Sequence, residues 1–452
     1  MRWQQIGLKI LPSSLRALFS DSLLATSLWT LAKHRVWAGS EEKTSTVTIR
    51  EAVMTVADRW LLPDGIEEIL PGRARCAEKL RRDILDLFDR WGYQLVIPPH
   101  LEFIESLTAG VGHDLDLQTF KVTDQLTGRT MGLRADTTPA VARIDAHTLK
   151  VDGPVRLCYS GSVFHTRPTS LGASRSPIQI GAELYGHSGV ASDLEVISLM
   201  LETLAQVEAD SVSLDLGHVQ IYRLLASQAG LSGDQELALF DALQRKAISE
   251  VEQLVNQWDI SAGSARMLKS LPNLAGGPEI LERARGELAD GPEGVATALD
   301  ELGLIAREIT SLYPGADFYF DLGELRGYNY HTGVVFAAYL PGQGQAIAKG
   351  GRYDGIGEAF GRSRPATGFS TDLKTLMELK ALLELKTEST DDCTEGKTIF
   401  APVDADAALV QSLRRQGERV VRQLPGQATE AAGMGCNHQL ICRDGEWLVE
   451  PL

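Results

Sequence analysis

The side chains with the widest chemical reach in this 452-residue sequence are five cysteines, Cys76, Cys158, Cys393, Cys436 and Cys442. They are scattered and form no Cys-x-x-Cys pair, so neither a zinc site nor a redox dithiol is expected, and thiols used this way suit a reduced cytoplasm. Other polar residues gather in four segments, LRADTTPAVAR, FHTRPTSLGASRSPIQIGAE, ELRGYNYHTGVVF and AKGGRYDGI. Taken one at a time, Asp136, Thr138, Gln179, Glu183, Arg326, Tyr330 and Tyr353 read as ordinary hydrogen-bonding positions on a sheet surface. Gly327, Gly333, Gly350 and Gly351 likewise read as turn or positive-φ glycines. No catalytic residue, metal site or cofactor is expected.

The elements that must position these residues are consistent with a soluble globular protein. The sequence is 44% hydrophobic and 23% charged, and its length favours two or three domains. A net charge of -16 argues against a broad nucleic-acid surface, because phosphate binding rests on clustered Lys and Arg. No apolar run has the length of a membrane span. Residues 1–53 form an atypical N-terminal extension: Arg2, Lys9, Arg16, Lys33 and Arg35 face only Asp21 within the first forty. That composition resembles a transit peptide, but translation upstream of a true start at Met54 is the favoured reading. Residues 74–91 carry Leu80, Ile84, Leu87 and Phe88 at helical spacing. YQLVIPPHLEF is a β-type run that Pro98 and Pro99 confine to an edge or interface. Further strands are expected in GPVRLCYSGSVF, QIGAELYG, VSLDLG, FYFDLG and GVVFAAYL, with helices over 191–208 and 219–312. The last of these reads as a helical insertion (219–312) dividing a core into 54–218 and 313–385. Residues 386–397 read as a linker, and 398–452 as a small α/β segment ending in a hairpin.

Six segments, in order and across most of residues 61–378, resemble histidyl-tRNA synthetase and its paralogue family, the regulatory subunits of ATP phosphoribosyltransferase. GYQLVIPPHLE resembles the first class II motif, with Pro99 at the dimer-facing end of its strand. LRADTTPAVAR resembles the segment that holds a substrate α-amino group, and FHTRPTSLGASRSPIQIGAE stands in the place of the second motif. ELRGYNYHTGVVF and AKGGRYDGI resemble the two histidine-binding signatures, and GFSTDLKTL stands where the third motif belongs. The resemblance implies an α+β fold, a mostly antiparallel class II sheet flanked by helices, with an amino-acid pocket on its open face. It places Asp136, Thr138 and Gln179 at the ammonium and Glu183 at the imidazole N–H. Tyr330 and Tyr353 fall in the two signatures, and Arg326 stands where a carboxylate is held. A carboxylate facing a ligand N–H forms a charge-assisted bond. The family commonly has Glu where this chain has Asp136, and Tyr where it has His331.

The same resemblance argues against aminoacylation. Amino-acid activation brings two anions together, so it depends on cationic clamps. The second motif's Phe-Arg-x-Glu is here Phe164-His165-Thr166-Arg167, and the third motif's Glu-Arg pair is Lys374-Thr375. Lysine cannot copy the guanidinium fork. Each loss costs about 3 kcal/mol of transition-state stabilisation, and together they predict roughly 10⁴-fold slower chemistry. His165, Arg167 and Thr375 are thus degenerate synthetase positions. The implied role is a noncatalytic regulatory subunit that partners a short-form catalytic ATP phosphoribosyltransferase subunit, as a homodimer within a hetero-oligomer, with L-histidine as ligand. No nucleic-acid or membrane partner is expected. Two other readings stay open at this point, a divergent histidine-tRNA ligase and a free-standing histidine sensor or scaffold.

Overall fold

The computed structural model describes residues 60–452 apart from 110–112, 169, 171, 210, 326, 328–329, 388–395 and 429. The N-terminal extension and most of the expected linker lie outside the described residues. A proline in the first turn starts helix α1 (Pro71–Arg90), whose buried Ala77, Leu80, Ile84, Leu87 and Phe88 recur at helical spacing. Strand β1 (Gln94–Leu95) stops short of Pro98 and Pro99, which have no N–H to give a ladder, and it forms one margin of the main sheet. Strands β2 (Leu101–Phe103), β3 (Phe120–Thr123) and β4 (Thr130–Leu133) make a small antiparallel sheet in the order β2-β4-β3. Short helices α2 (Ile104–Leu107) and α3 (His113–Gln118) lie between its first two strands. Helix α4 (Thr138–Arg143) then runs directly into a π-helix, Ile144–Leu149.

Strands β5 (Val155–Ser162) and β6 (Ile178–Tyr185) lead to helix α5 (Val190–Ala205) and strand β7 (Val212–His218). Residues 219–312 fold as helices α6 (Val219–Ala229), α7 (Gly233–Gln244), α8 (Ile248–Gln257), α9 (Ala262–Ser270), α10 (Glu279–Glu287) and α11 (Glu293–Leu312). A two-residue strand, β8 (Ala275–Gly276), interrupts them and pairs with β9 (Ala316–Asp321). Strands β10 (Val334–Tyr339), β11 (Ala348–Arg352) and β12 (Ala366–Asp372) follow, then helix α12 (Leu373–Thr387), which runs two residues into the expected linker. Among the described residues nine strands form one sheet in the order β1-β5-β6-β12-β11-β10-β7-β9-β8. It is antiparallel from β5 to β7 and parallel at β1/β5 and β7/β9, which is the mixed but mainly antiparallel sheet of an α+β fold.

Alternation along the strands divides the two faces of this sheet. Ile180, Ala182 and Leu184 of β6 and Phe369 of β12 join one large core with α1 and α5, where Phe88 and Phe369 meet edge to face at 6.0 Å. Leu239, Val251, Met267, Ile280 and Leu299 belong to that same buried cluster, so the 219–312 helices share the sheet's core. The opposite face carries a second cluster, including Val141, Val155, Leu157, Tyr159, Tyr185, Tyr353 and Ile356.

Strands β11 and β12 are elements that periodicity does not reveal, because glycine replaces the usual branched residues. Glycine is required there by close approach: a Cβ on Gly351 would lie 2.9 Å from His331 Nε2, and one on Gly368 would overlap the Glu183 carboxylate. The C-terminal segment folds as β13 (Thr398–Ala401), α13 (Ala407–Arg415), β14 (Arg419–Arg422), β15 (His438–Arg443) and β16 (Glu446–Pro451), with sheet order β14-β13-β15-β16 and a terminal hairpin. Ile399, Ala401, Val410, Val420 and Leu440 give it a small core of its own. Among the described residues no helix is long and apolar enough to cross a membrane.

Candidate ligand site

Gln179, Gly181, Glu183 and Tyr185 occupy alternate positions on β6 and therefore one face, opposite the face that feeds the main core. Glu183 is 1% exposed and is the polar centre of the site. Its Oε1 accepts from Thr138 Oγ1 and from the Tyr159 hydroxyl, each at 3.0 Å, and its Oε2 accepts from the Tyr353 hydroxyl. A carboxylate has about four lone-pair sites, so this arrangement leaves Oε2 with room for one further donor. Burial is the main cause that raises the Glu183 carboxyl to about 8, with the nearby Asp136 charge adding to it and the three hydroxyl donors opposing it. The same burial, with Glu183 alongside, holds the Tyr159, Tyr185 and Tyr353 phenols well above their usual range.

The polar residues expected at an ammonium lie beside this centre. Gln179 Nε2 donates to Asp136 Oδ1 at 2.8 Å and to Ser370 Oγ at 3.2 Å, while Gln179 Oε1 accepts the Thr137 amide at 2.8 Å. Asp136 Oδ1 also accepts the Thr138 amide at 3.1 Å. The Tyr330 ring meets Tyr353 at 6.4 Å and His331 at 4.1 Å. The structure thus brings Asp136, Thr138, Gln179, Glu183, Tyr330 and Tyr353 together, while Arg326 lies outside the described residues. It adds Tyr159, Tyr185 and Ser370, which motif reading missed. Tyr185 shares strand parity with Glu183, so alternation would have found it. Tyr159 is set by register: it sits opposite Gly181, where a Cβ would lie 2.7 Å from its hydroxyl.

The positions that would grip a nucleotide are occupied by the chain itself. His165 Nε2 donates to the Ala135 carbonyl at 2.9 Å, and Arg167 is exposed. Thr375 donates to Asp372 Oδ2 at 3.1 Å. Lys374 is 7% exposed, and its ammonium lies 3.2 Å from Glu67 Oε1 and 3.4 Å from the hydroxyls of Ser174 and Ser176. Arg175 donates to the carbonyls of His165 and Asp64, each at 3.0 Å. Asp372 is a second carboxylate in this region, accepting the amides of Ile178 and Lys374, and burial pushes its carboxyl up. Each described cation near the second and third motifs is therefore partnered internally or turned outward, and Glu67 and Asp372 add negative charge. Among the described residues polyphosphate finds no clamp here. Among the described residues no three His, Cys, Asp or Glu side chains are grouped to hold a metal ion.

Comparison with known proteins bears on the family to which this chain belongs. A family model described as histidyl-tRNA synthetase matches residues 65–376, and one described as ATP phosphoribosyltransferase subunit HisZ C-terminal domain matches residues 396–450. A protein from Ectopseudomonas mendocina (strain ymp), named ATP phosphoribosyltransferase regulatory subunit, is 57% identical over 403 residues, covering 88% of this chain and 100% of the relative. One of the same name from Azotobacter vinelandii (strain DJ / ATCC BAA-1303) is 58% identical with the same coverage. A solved structure titled as an ATP phosphoribosyltransferase regulatory subunit/histidyl-tRNA synthetase from Bacillus halodurans C is 28% identical with a TM-score of 0.70, covering 83% of this chain and 96% of that one. A histidyl-tRNA synthetase from Nostoc sp. PCC 7120, 18% identical with a TM-score of 0.67 over 87% of this chain and 97% of that one, shares the class II fold. Identity at this level along the full length of the regulatory relatives decides between the readings that motifs left open: the chain belongs to the family of ATP phosphoribosyltransferase regulatory subunits, noncatalytic proteins built on a histidyl-tRNA synthetase-like fold.

Proposed function

We propose that this chain binds L-histidine in the Glu183 pocket and carries that signal to a short-form catalytic ATP phosphoribosyltransferase subunit. The catalytic partner joins ATP to phosphoribosyl pyrophosphate in the first step of L-histidine biosynthesis, and this chain is required for that step and mediates its feedback. The assembly is a cytoplasmic hetero-oligomer built on a homodimer of this chain. Asp136, Thr138 and Gln179 receive the ammonium, Glu183, Tyr330 and Tyr353 surround the imidazole, and Arg326 takes the carboxylate. The core of 54–218 and 313–385 houses the pocket.

The observation that supports this reading is Glu183 itself. A buried acid surrounded by three hydroxyls is costly unless it serves something, and its Oε2 keeps one position for a ligand group on a face that also carries ammonium-type acceptors. Allosteric coupling then requires that histidine favour one state of the assembly over another. The test is reconstitution with a short-form catalytic subunit, assayed with and without histidine, together with calorimetry of histidine on this chain alone. Recovery of activity on mixing, inhibition by histidine and binding to the isolated chain are expected. Robust histidine-driven ATP and pyrophosphate exchange by this chain alone would overturn the reading in favour of a tRNA ligase.

A further inference from the structure

The helix that opens the pocket does not end there. α4 starts at Thr138, whose hydroxyl donates to Glu183, and its Val141 and Ala142 pack in the same cluster as Tyr159, Tyr185 and Tyr353. The chain then takes π geometry over Ile144–Leu149, closing with the Lys150 amide donating to the Asp145 carbonyl five residues back. Lys150 sits at a φ of 52°, a left-handed conformation that costs a side-chain-bearing residue energy. A π turn carries one residue more than an α turn, so this stretch has a second discrete arrangement close by, the α register. A buried pair holds the π form. Arg364, 8% exposed, donates to Asp145 Oδ1 at 2.9 Å, to the Val151 carbonyl at 3.0 Å and to the Gly153 carbonyl. Arg362 adds a bond to Asp152 at 2.7 Å. Both arginines lie just ahead of β12, the strand whose Gly368 abuts Glu183 and whose Ser370 accepts from Gln179. The two elements that flank the pocket are thus tied to each other again at its far side, beside the exposed Leu149 and Val151.

The geometry points to a relay: the α4 and π-helix unit, clamped by Asp145 and Arg364, is the two-state element through which pocket occupancy reaches the surface at residues 147–152. This inference rests on the proposed histidine pocket. A ligand that draws on Glu183 and Asp136 acts on the first turn of the unit, the clamp acts on its last, and the packed face between them moves as one piece. Asp145 and Arg364 are positioning residues and make no contact with ligand in this reading.

The test uses the full chain, alone and reconstituted with a short-form catalytic subunit. Asp145→Asn weakens the clamp, whereas Lys150→Gly, on an exposed turn, relieves the left-handed cost without removing a contact. The two variants are expected to shift the half-inhibitory histidine concentration of the complex by more than about fivefold in opposite directions, and by linkage to move the histidine affinity of the isolated chain in the same sense as the inhibition. Unchanged inhibition, or parallel shifts, would overturn the relay. So would abolished histidine binding in both isolated variants, which would make the unit scaffolding for the pocket. If Asp145→Asn does not fold, Lys150→Gly decides alone, and unchanged inhibition in that variant overturns the proposal. A wild-type chain that binds no histidine brings down the pocket reading and the relay with it. A wild-type chain that binds histidine and a wild-type complex inhibited by it, beside variants inhibited just as the wild type is, bring down the relay alone.

Discussion

At the scale of single residues, the proposed pocket turns on a carboxyl group that burial makes reluctant to ionise. Glu183 is raised from an ordinary 4.5 to about 8, so the folded protein keeps a proton that the unfolded chain releases between these values. Its share of stability is therefore fully present below about pH 4.5 and is lost as pH rises through about 8. Glu183→Gln should flatten the fall of Tm with pH and melt above wild type on the alkaline side; melting curves that run parallel between about pH 5 and pH 9 would count against this. Tyr353→Phe removes one of the three hydroxyl donors to the carboxylate and is expected to weaken histidine binding by about tenfold, read by calorimetry. His165→Arg restores one synthetase cation but leaves Glu67 and Asp372 in place. Pyrophosphate exchange should stay at background, and appreciable exchange in that single variant would show that the carboxylates are no obstacle. Glu183, Gln179 and Tyr353 were legible as members of motifs in register. Glu67 was not, because its significance comes from Lys374, far along the chain and adjacent only once folded.

Elements show why some strands could be read and others could not. QIGAELYG alternates apolar and polar residues, so strand β6 and its two faces were visible from the sequence. AKGGR and ATGFSTD lack that signal, since close approach by Phe336, His331 and Glu183 leaves room only for glycine at 350, 351 and 368. Gly368→Ala would drive a methyl into the Glu183 carboxylate, and little soluble protein is expected on expression. Arg352 ties β11 to the start of α5 through Asp193 Oδ2 at 2.9 Å, Ser192 Oγ at 2.8 Å and the carbonyls of His187 and Gly189. Burial raises the Asp193 carboxyl despite this partner, so Arg352→Ala leaves a buried acid uncompensated. We expect a loss of about 3–5 kcal/mol in urea denaturation, and a change below about 1 kcal/mol would place the pair in solvent.

For the whole molecule, the core that joins the sheet to the 219–312 helices means that a ligand held at β6 and β12 bears on the main folding unit. Histidine at about one hundred times its dissociation constant should add about 2.7 kcal/mol of stability and raise Tm accordingly; an unmoved transition at saturation would exclude the pocket. A net charge of -16 and a carboxylate-filled cradle also predict that transfer RNA is not retained at ordinary salt in a gel-shift titration. Composition alone supported only a soluble mixed protein. The class II architecture became legible because six separated segments agreed in order, and the C-terminal hairpin was read from HQLICRDGEWLVEPL, whose turn residues Asp444 and Gly445 take positive φ in the structure.

The two-residue strand β1 carries a further consequence. Among the described residues its outer edge is unpaired, and with Leu95 half exposed and Ile97 83% exposed it is a template on which another chain could extend the sheet, since backbone amides do not discriminate among partners. Pro98 and Pro99 interrupt that template by withholding two donors, so they act as gatekeepers against fibrillar growth as well as ending a strand. A Pro98→Thr, Pro99→Thr chain should scatter light and seed thioflavin-positive material at concentrations where the natural chain stays clear.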